Sequence, residues 1–282
     1  MIISLGRRHN TYLINNDIIT NSGASYEIGE QISRGGNATV HECISSDGSI
    51  FAIKFMLQLT PKMINRFEQE IRALKEIEHP HIIKYVDDGL VMLENSLRET
   101  KEIRLLIMEK ADGNLLDYMK EHEKIGYETY APQFRGLSEA LGRLHNYAIH
   151  RDIKPENILV KGETWLISDL GLCSYSDESE HLDLTTDHEK IGPKYWLSPE
   201  AVNKFYFNTE AIREYSDVYQ LCAVFWFIVT YRHPTGILCL DDWKNNDQNL
   251  FDVIKNSLAH DYSKRPQNGN ELFRFISKAT TG

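Results

Sequence analysis

Two oxygen-bearing side chains, Asp152 and Asn157, lie five positions apart in HRDIKPENILV, the stretch from His150 to Val160. A carboxylate on such a loop can orient an attacking hydroxyl and accept its proton. Carboxylate and amide oxygens are also the ligands that a hard cation such as Mg2+ takes. Both requirements belong to phosphoryl transfer, where positioning and charge stabilisation do most of the catalysis. A second acidic turn, Asp169-Leu170-Gly171, follows Asp152 by seventeen positions, after the strand-like TWLIS. Upstream, the strand-like Phe51-Ala52-Ile53-Lys54 carries a lysine, and EQEIRAL carries Glu68 and Glu70. Two positions apart on a helix, these carboxylates point to different faces. Glu70 and Glu68 are the two helix carboxylates that could pair with Lys54, Glu68 being the alternative to Glu70.

The elements that must position these residues change character along the chain. Ile28–Ile32, Thr39–Ile44 and Ile50–Phe55 read as strands, the last two separated by the turn SSDG. From Pro61 to Ile77 the apolar residues Ile64, Phe67, Ile71, Leu74 and Ile77 fall at helical spacing behind a Thr60 cap. Gly89–Leu93 and Ile103–Glu109 read as a hairpin across the polar ENSLRETKE. Beyond Ala111 helical patterns dominate: Leu115–Glu121, Tyr130–Asn146, Pro199–Val202, Val218–Tyr231, Leu250–Leu258 and Asn270–Lys278. The expected fold is α+β, with a β-rich part joined to a helical part near residue 110. Junctions of that kind are common ligand sites.

With these motifs in place, the sequence resembles the eukaryotic-type protein kinases from about Tyr26 to Ile276, and Lys154 places it nearest the serine/threonine class. The resemblance implies a bilobal fold: an N-lobe over 26–110, a C-lobe over 111–282, an active-site cleft between them, and a 1–25 extension packed on the N-lobe. It implies Asp152 as catalytic base, Lys154 at the γ-phosphate, Lys54 at the α- and β-phosphates with Glu70 as its partner, and Asn157 and Asp169 as metal ligands. ATP and Mg2+ are the implied cofactors, with Mn2+ as an alternative metal. Val40 and Ala52 above and Leu159 below would line an adenine slot. Met108 would guard its back, and the backbone of Glu109-Lys110-Ala111 would hydrogen-bond the base. Glu200, in WLSPE, would pair with Arg265, and Asp217 would hold the backbone around His150 and Arg151.

Three departures from the family pattern bear on rate and regulation. The glycine-rich loop reads Ser33-Arg34-Gly35-Gly36-Asn37-Ala38-Thr39-Val40, so Gly35 keeps its place, Gly36 adds freedom beside it, and Ser33 and Ala38 replace glycines with small residues. Leu170 stands for the usual Phe, and Pro193 stands where the serine/threonine class usually carries Thr. The segment between Asp169 and Glu200 is rich in Ser, Thr, Asp and Glu. A phosphate there would engage Arg151. Thr185 and Thr186 are the first candidates, followed by Ser174, Ser176 and Ser179.

Composition excludes several other classes. A net charge of -10 argues against a general nucleic-acid binder, whose phosphate partners need Lys and Arg. The longest apolar run, Leu221–Val229, falls well short of the ~20 residues of a membrane span and reads as a buried helix. Cys43, Cys173, Cys222 and Cys239 are not at metal-ligand spacing and read as reduced thiols of a cytoplasmic protein. The implied function is ATP- and Mg-dependent phosphorylation of Ser/Thr hydroxyls in protein substrates. Autophosphorylation of the loop in a transient homodimer is expected as well. The alternatives are a nucleotide-binding scaffold of the pseudokinase type and a small-molecule kinase.

Overall fold

The computed structural model describes residues 2–5, 10–175, 195–208, 210–243 and 247–281. These divide into two compact units, one of residues 1–76 with 83–111, the other of 77–82 with 112–282.

The first unit holds β1 (Ile2–Leu5), β2 (Asn10–Leu13), β3 (Asp17–Ile19), β4 (Ser25–Arg34), β5 (Ala38–Ser45), β6 (Ile50–Met56), α1 (Pro61–Glu76), β7 (Tyr85–Glu94) and β8 (Thr100–Glu109). All eight strands form one sheet in the order β1-β2-β7-β8-β6-β5-β4-β3. The segment before residue 26 supplies three of these strands and occupies both edges of the sheet. Its Tyr12, Ile14 and Ile18 are buried in one apolar cluster with Ile28, Ile53, Phe55, Leu93, Leu105 and Ile107. The β5–β6 hairpin turns at Gly48, whose φ of +85° only glycine adopts without strain. α1 buries Phe67, Glu70, Ile71 and Leu74, and packs on β7 and β8. Thr60 Oγ1 caps its start by accepting the Met63 N–H at 3.3 Å.

The second unit follows with β9 (Gly113–Asn114), α2 (Leu115–Glu121), α3 (Tyr127–Leu144), β10 (Ala148–Ile149), β11 (Ile158–Lys161), β12 (Thr164–Ile167), β13 (Ser174–Tyr175), α4 (Pro199–Phe207), α5 (Glu214–Thr230), α6 (Leu240–Trp243), α7 (Gln248–Ser257) and α8 (Gly269–Thr280). α5 is buried nearly all round, as its unbroken apolar run requires. It starts at Glu214, where the Arg213 N–H donates to Ser216 Oγ at 3.2 Å and the Ser216 N–H to the Arg213 carbonyl at 2.9 Å, a cap that apolar periodicity does not reveal. α4 runs on to Phe207 and stops at Asn208, which takes a left-handed φ of 51°. α3 and α8 cross with their backbones in contact: a Cβ on Gly269 would collide with the Gly142 backbone. No described helix is long and apolar enough to cross a membrane.

Candidate functional site

The residues singled out by their chemistry fall into two groups, one in each unit.

In the first unit the antiparallel register decides who faces whom. Val40 pairs with Lys54, Lys54 with Leu106, and Ala52 with Met108. Side chains alternate across a strand, so Ala38, Val40, Ala52, Lys54, Leu106 and Met108 share one sheet face. This is the face opposite the Ile53–Phe55–Leu105 cluster. On it, Lys54 Nζ lies 2.5 Å from Glu70 Oε1, with both side chains nearly buried. Phe67, one turn earlier on α1, presents its ring to the ammonium at 5.9 Å. Glu68 points elsewhere and pairs with Arg104 on β8. The choice between the two carboxylates thus follows the helical angle between them.

Gly35 and Gly36 sit exposed in the β4–β5 turn, just after the exposed Ser33 near the end of β4, and the φ values of the two glycines lie outside the left-handed region. A Cβ on Gly36 would meet nothing within 4 Å, and one on Gly35 only the Ala38 carbonyl at 3.8 Å. The protein itself therefore places no steric demand for glycine there. The open space suits a bulky anion approached by backbone amides. The loop is anchored from behind: Leu57 N–H donates to the Asn37 carbonyl at 2.8 Å, and Gln58 Nε2 to the Gly36 carbonyl at 3.1 Å. At the end of β8, Glu109 N–H donates to the Lys84 carbonyl at 3.0 Å, and Lys110 pairs with Glu42 at 2.6 Å. Ala111 is half-buried.

In the second unit the loop after β10 converges on Asp152. Its Oδ2 accepts Lys154 Nζ at 3.0 Å and Asn157 Nδ2 at 2.8 Å, and Asn157 Nδ2 also reaches the Asp152 carbonyl at 2.8 Å. The Asn157 amide, with its nitrogen turned to Asp152, presents Oδ1 on the other side. That is the hard oxygen a Mg2+ ion takes. Burial pushes the Asp152 carboxyl above its ordinary value. The Lys154 ammonium opposes the shift, and the Asp169 carboxylate adds to it. Asp169 and Arg151 both adopt left-handed φ values, 59° and 70°. For non-glycine residues such conformations cost ~1–3 kcal/mol and persist where surrounding structure enforces them.

That enforcement is visible around Arg151. Asp217, fully buried at the start of α5, accepts the His150 N–H at 2.6 Å and the Arg151 N–H at 2.8 Å. Three further residues hold the loop, and none of them stands out in the sequence. Gln220 Oε1 accepts the Ile153 N–H at 3.1 Å. Ser168 donates through N and Oγ to the Asn157 carbonyl, each at 2.9 Å. His145 accepts the Gly269 N–H at Nδ1, which leaves Nε2–H to donate to Asp217 Oδ2 at 3.1 Å. Gln220 could have been found as the residue three positions after Asp217 on the same helix face. His150 works the same way: Nδ1 accepts the Asp152 N–H, and Nε2 donates to the Ser168 carbonyl.

Leu159 is half-buried on β11 between buried Ile158 and Val160, opposite Asn114 and Leu166. Glu200 and Arg265 form a bidentate pair, 2.9 and 3.1 Å, with both side chains fully buried. Ser198 caps α4 just ahead of Glu200. Thr185, Thr186, Ser176, Ser179 and Pro193 lie outside the described residues, and Ser174 is described only as part of β13. Among the described residues no three His, Cys, Asp or Glu side chains cluster as a metal cage. A Mg2+ ion held by one or two protein oxygens plus phosphate and water needs no such cage.

Residues 26–280 match the family model described as protein kinase domain. Several curated proteins are similar. The probable serine/threonine-protein kinase PknB of Bifidobacterium longum is 27% identical over 76% of this chain and 31% of its own length. The serine/threonine-protein kinase max-2 of Caenorhabditis elegans is 28% identical over 67% of this chain and 28% of its own. A probable serine/threonine-protein kinase of Encephalitozoon cuniculi is 27% identical over 90% of this chain and 45% of its own. The chain thus spans less than half the length of each.

Proposed function

The chain belongs to the protein kinase domain family, and from that premise we propose that it transfers the γ-phosphate of ATP to Ser or Thr hydroxyls of protein substrates. The observation that carries this reading is the double clamp on Asp152 Oδ2 by Lys154 and Asn157. It aims one carboxylate and keeps a cation two residues away. Mg-ATP would supply the phosphoryl group and the counter-charge; the rest is done by the chain's own residues.

Asp152 orients the substrate hydroxyl and takes its proton as the new bond forms. A base with a pKa drawn up toward the working pH suits that task better than an ordinary carboxylate. Lys154 stabilises the charge that develops on the transferred group. Lys54, fixed by Glu70, meets the α- and β-phosphates, and Asn157 with Asp169 holds the metal. Val40, Ala52, Met108 and Leu159 offer apolar surface to the adenine. The formed Lys54–Glu70 pair supports an active enzyme over a binding scaffold. The Glu200–Arg265 closure supports protein substrates over small alcohols. Autophosphorylation at Thr185 or Thr186 in a transient homodimer, and action in the cytoplasm on protein partners without nucleic acid, complete the proposal.

The test is transfer of labelled phosphate from γ-labelled ATP to a mixed-sequence protein substrate, with the acceptor residue read by mass spectrometry. Label on Ser or Thr that disappears in Asp152→Asn supports the reading. Efficient labelling of a small alcohol with none on protein would replace it.

A further inference from the structure

The turn Thr20–Ala24, upstream of the stretch that matches the family, grips the start of β7 with four hydrogen bonds. Asn21 N–H donates to the Asp88 carbonyl at 2.9 Å, and Asn21 Nδ2 to Asp88 Oδ2 at 2.9 Å. Thr20 Oγ1 and Ser22 Oγ both donate to Asp87 Oδ2 at 2.5 Å, where Thr20 and Asp87 are buried. The turn is itself closed, by Thr20 N–H to the Ala24 carbonyl and Gly23 N–H to the Thr20 carbonyl, each at 3.0 Å, with Gly23 at φ +85°. It lies so close to β7 that a Cβ on Gly89 would press on Thr20 Cα at 3.2 Å.

The other carboxylate oxygen of Asp88 faces α1. Asp88 Oδ1 accepts Lys75 Nζ, in the last turn of α1, at 2.5 Å, and Tyr85 Oη at 2.5 Å. The Lys75 ammonium also lies 5.2 Å from the centre of the Tyr85 ring. Asp88 is therefore shared, one oxygen for the N-terminal turn and the other for α1. Lys75 follows Glu70 by five residues on a continuous helix, so a shift of its last turn moves Glu70 relative to Lys54.

We propose that the turn Thr20–Ala24 is a positioning element that, through Asp87 and Asp88, holds α1 so that Glu70 stays on Lys54. Its effect on rate rests on the phosphoryl-transfer reading above; its effect on α1 does not. Asn21, Asp88 and Lys75 are positioning residues that touch no reacting atom.

Two measurements on the full chain test this. The first is amide hydrogen exchange across Phe67–Leu74 in the wild type, in Thr20→Val/Asn21→Ala and in Lys75→Met. Exchange should quicken about tenfold in both variants and return toward wild type in Lys75→Arg, which keeps the cation. Unchanged exchange would overturn the proposal, whether or not the protein transfers phosphate. The second is a double-mutant cycle with Glu70→Ala. Thr20→Val/Asn21→Ala should lower kcat about tenfold with KM for the protein substrate within about twofold, and should add nothing in the Glu70→Ala background. Losses that simply add would show that the turn does not act through Glu70. A wild type that transfers no phosphate, with exchange behaving as expected, would refute the kinase reading and leave the positioning role standing.

Discussion

Lys154 Nζ sits 3.0 Å from Asp152 Oδ2, yet the Asp152 carboxyl still holds its proton more tightly than a carboxyl in water. Burial outweighs the neighbouring cation, and the Asp169 charge helps it. A base placed in this way is harder to ionise and, once ionised, a better proton acceptor.

The pH profile of kcat/KM should report this. Transfer needs ionised Asp152, so the acid limb should lie above the ordinary value of 3.8. Lys154→Met removes the group that favours the ionised form, so its acid limb should move to higher pH, along with a loss of kcat. A limb that stays in place, or moves down, would show that Lys154 does not act on Asp152.

Stability should respond in the opposite sense to activity. The folded protein binds the Asp152 proton more tightly than the unfolded chain does. Stability from this group is therefore lost as pH rises through the folded pKa, and the ionised form strains the fold at neutral pH. Asp152→Asn should raise Tm by roughly 2–4 °C at pH 7 while abolishing transfer. Calorimetry of the two proteins checks it.

Glu200 runs the other way. Burial alone would push its carboxyl up, but the hydrogen bonds and charge of Arg265, with help from Ser216, carry it below its ordinary 4.5. Its contribution is then complete above about pH 4.5 and lost as pH falls through the folded pKa. Glu200→Gln leaves Arg265 buried without its counter-charge and should cost about 3–5 kcal/mol in urea unfolding at pH 7. Replacing both partners, in Glu200→Gln/Arg265→Met, should restore part of that loss.

Lys54→Met should reduce kcat at least ~100-fold, the usual scale for losing one preorganised charge contact. Glu70→Gln alone should reduce it less, and the double variant should match Lys54→Met, because Glu70 acts by holding Lys54. Steady-state rates for the three proteins decide it.

The candidate site was legible because its residues sit in short, dense motifs. HRDIKPENILV carries Asp152, Lys154 and Asn157 together, and the helix period puts Glu70 and Glu68 on different faces, with the family resemblance favouring Glu70. Helix bodies were legible where apolar spacing persists, and their ends were not. α5 begins four residues before Val218, because its first turn is polar and capped by Arg213 and Ser216. α4 outlasts Val202 because its last turn, Phe205 to Phe207, is partly or fully exposed and carries no burial pattern. The N-terminal strands were least legible. Their partners in β4 and β7 lie far along the chain or across a turn, and no local period announces them. The same holds for Gln220, Ser168 and His145, ordinary polar residues whose role is set by the backbone groups that the fold brings to them.

The most direct measurement of the central claim is transfer of labelled γ-phosphate by the wild type and by Asp152→Asn, side by side with Mg-ATP and a protein substrate. Label on Ser or Thr in the first sample and its absence in the second is the predicted result. Equal labelling in both, from two folded proteins, would contradict the assignment of Asp152 as the base.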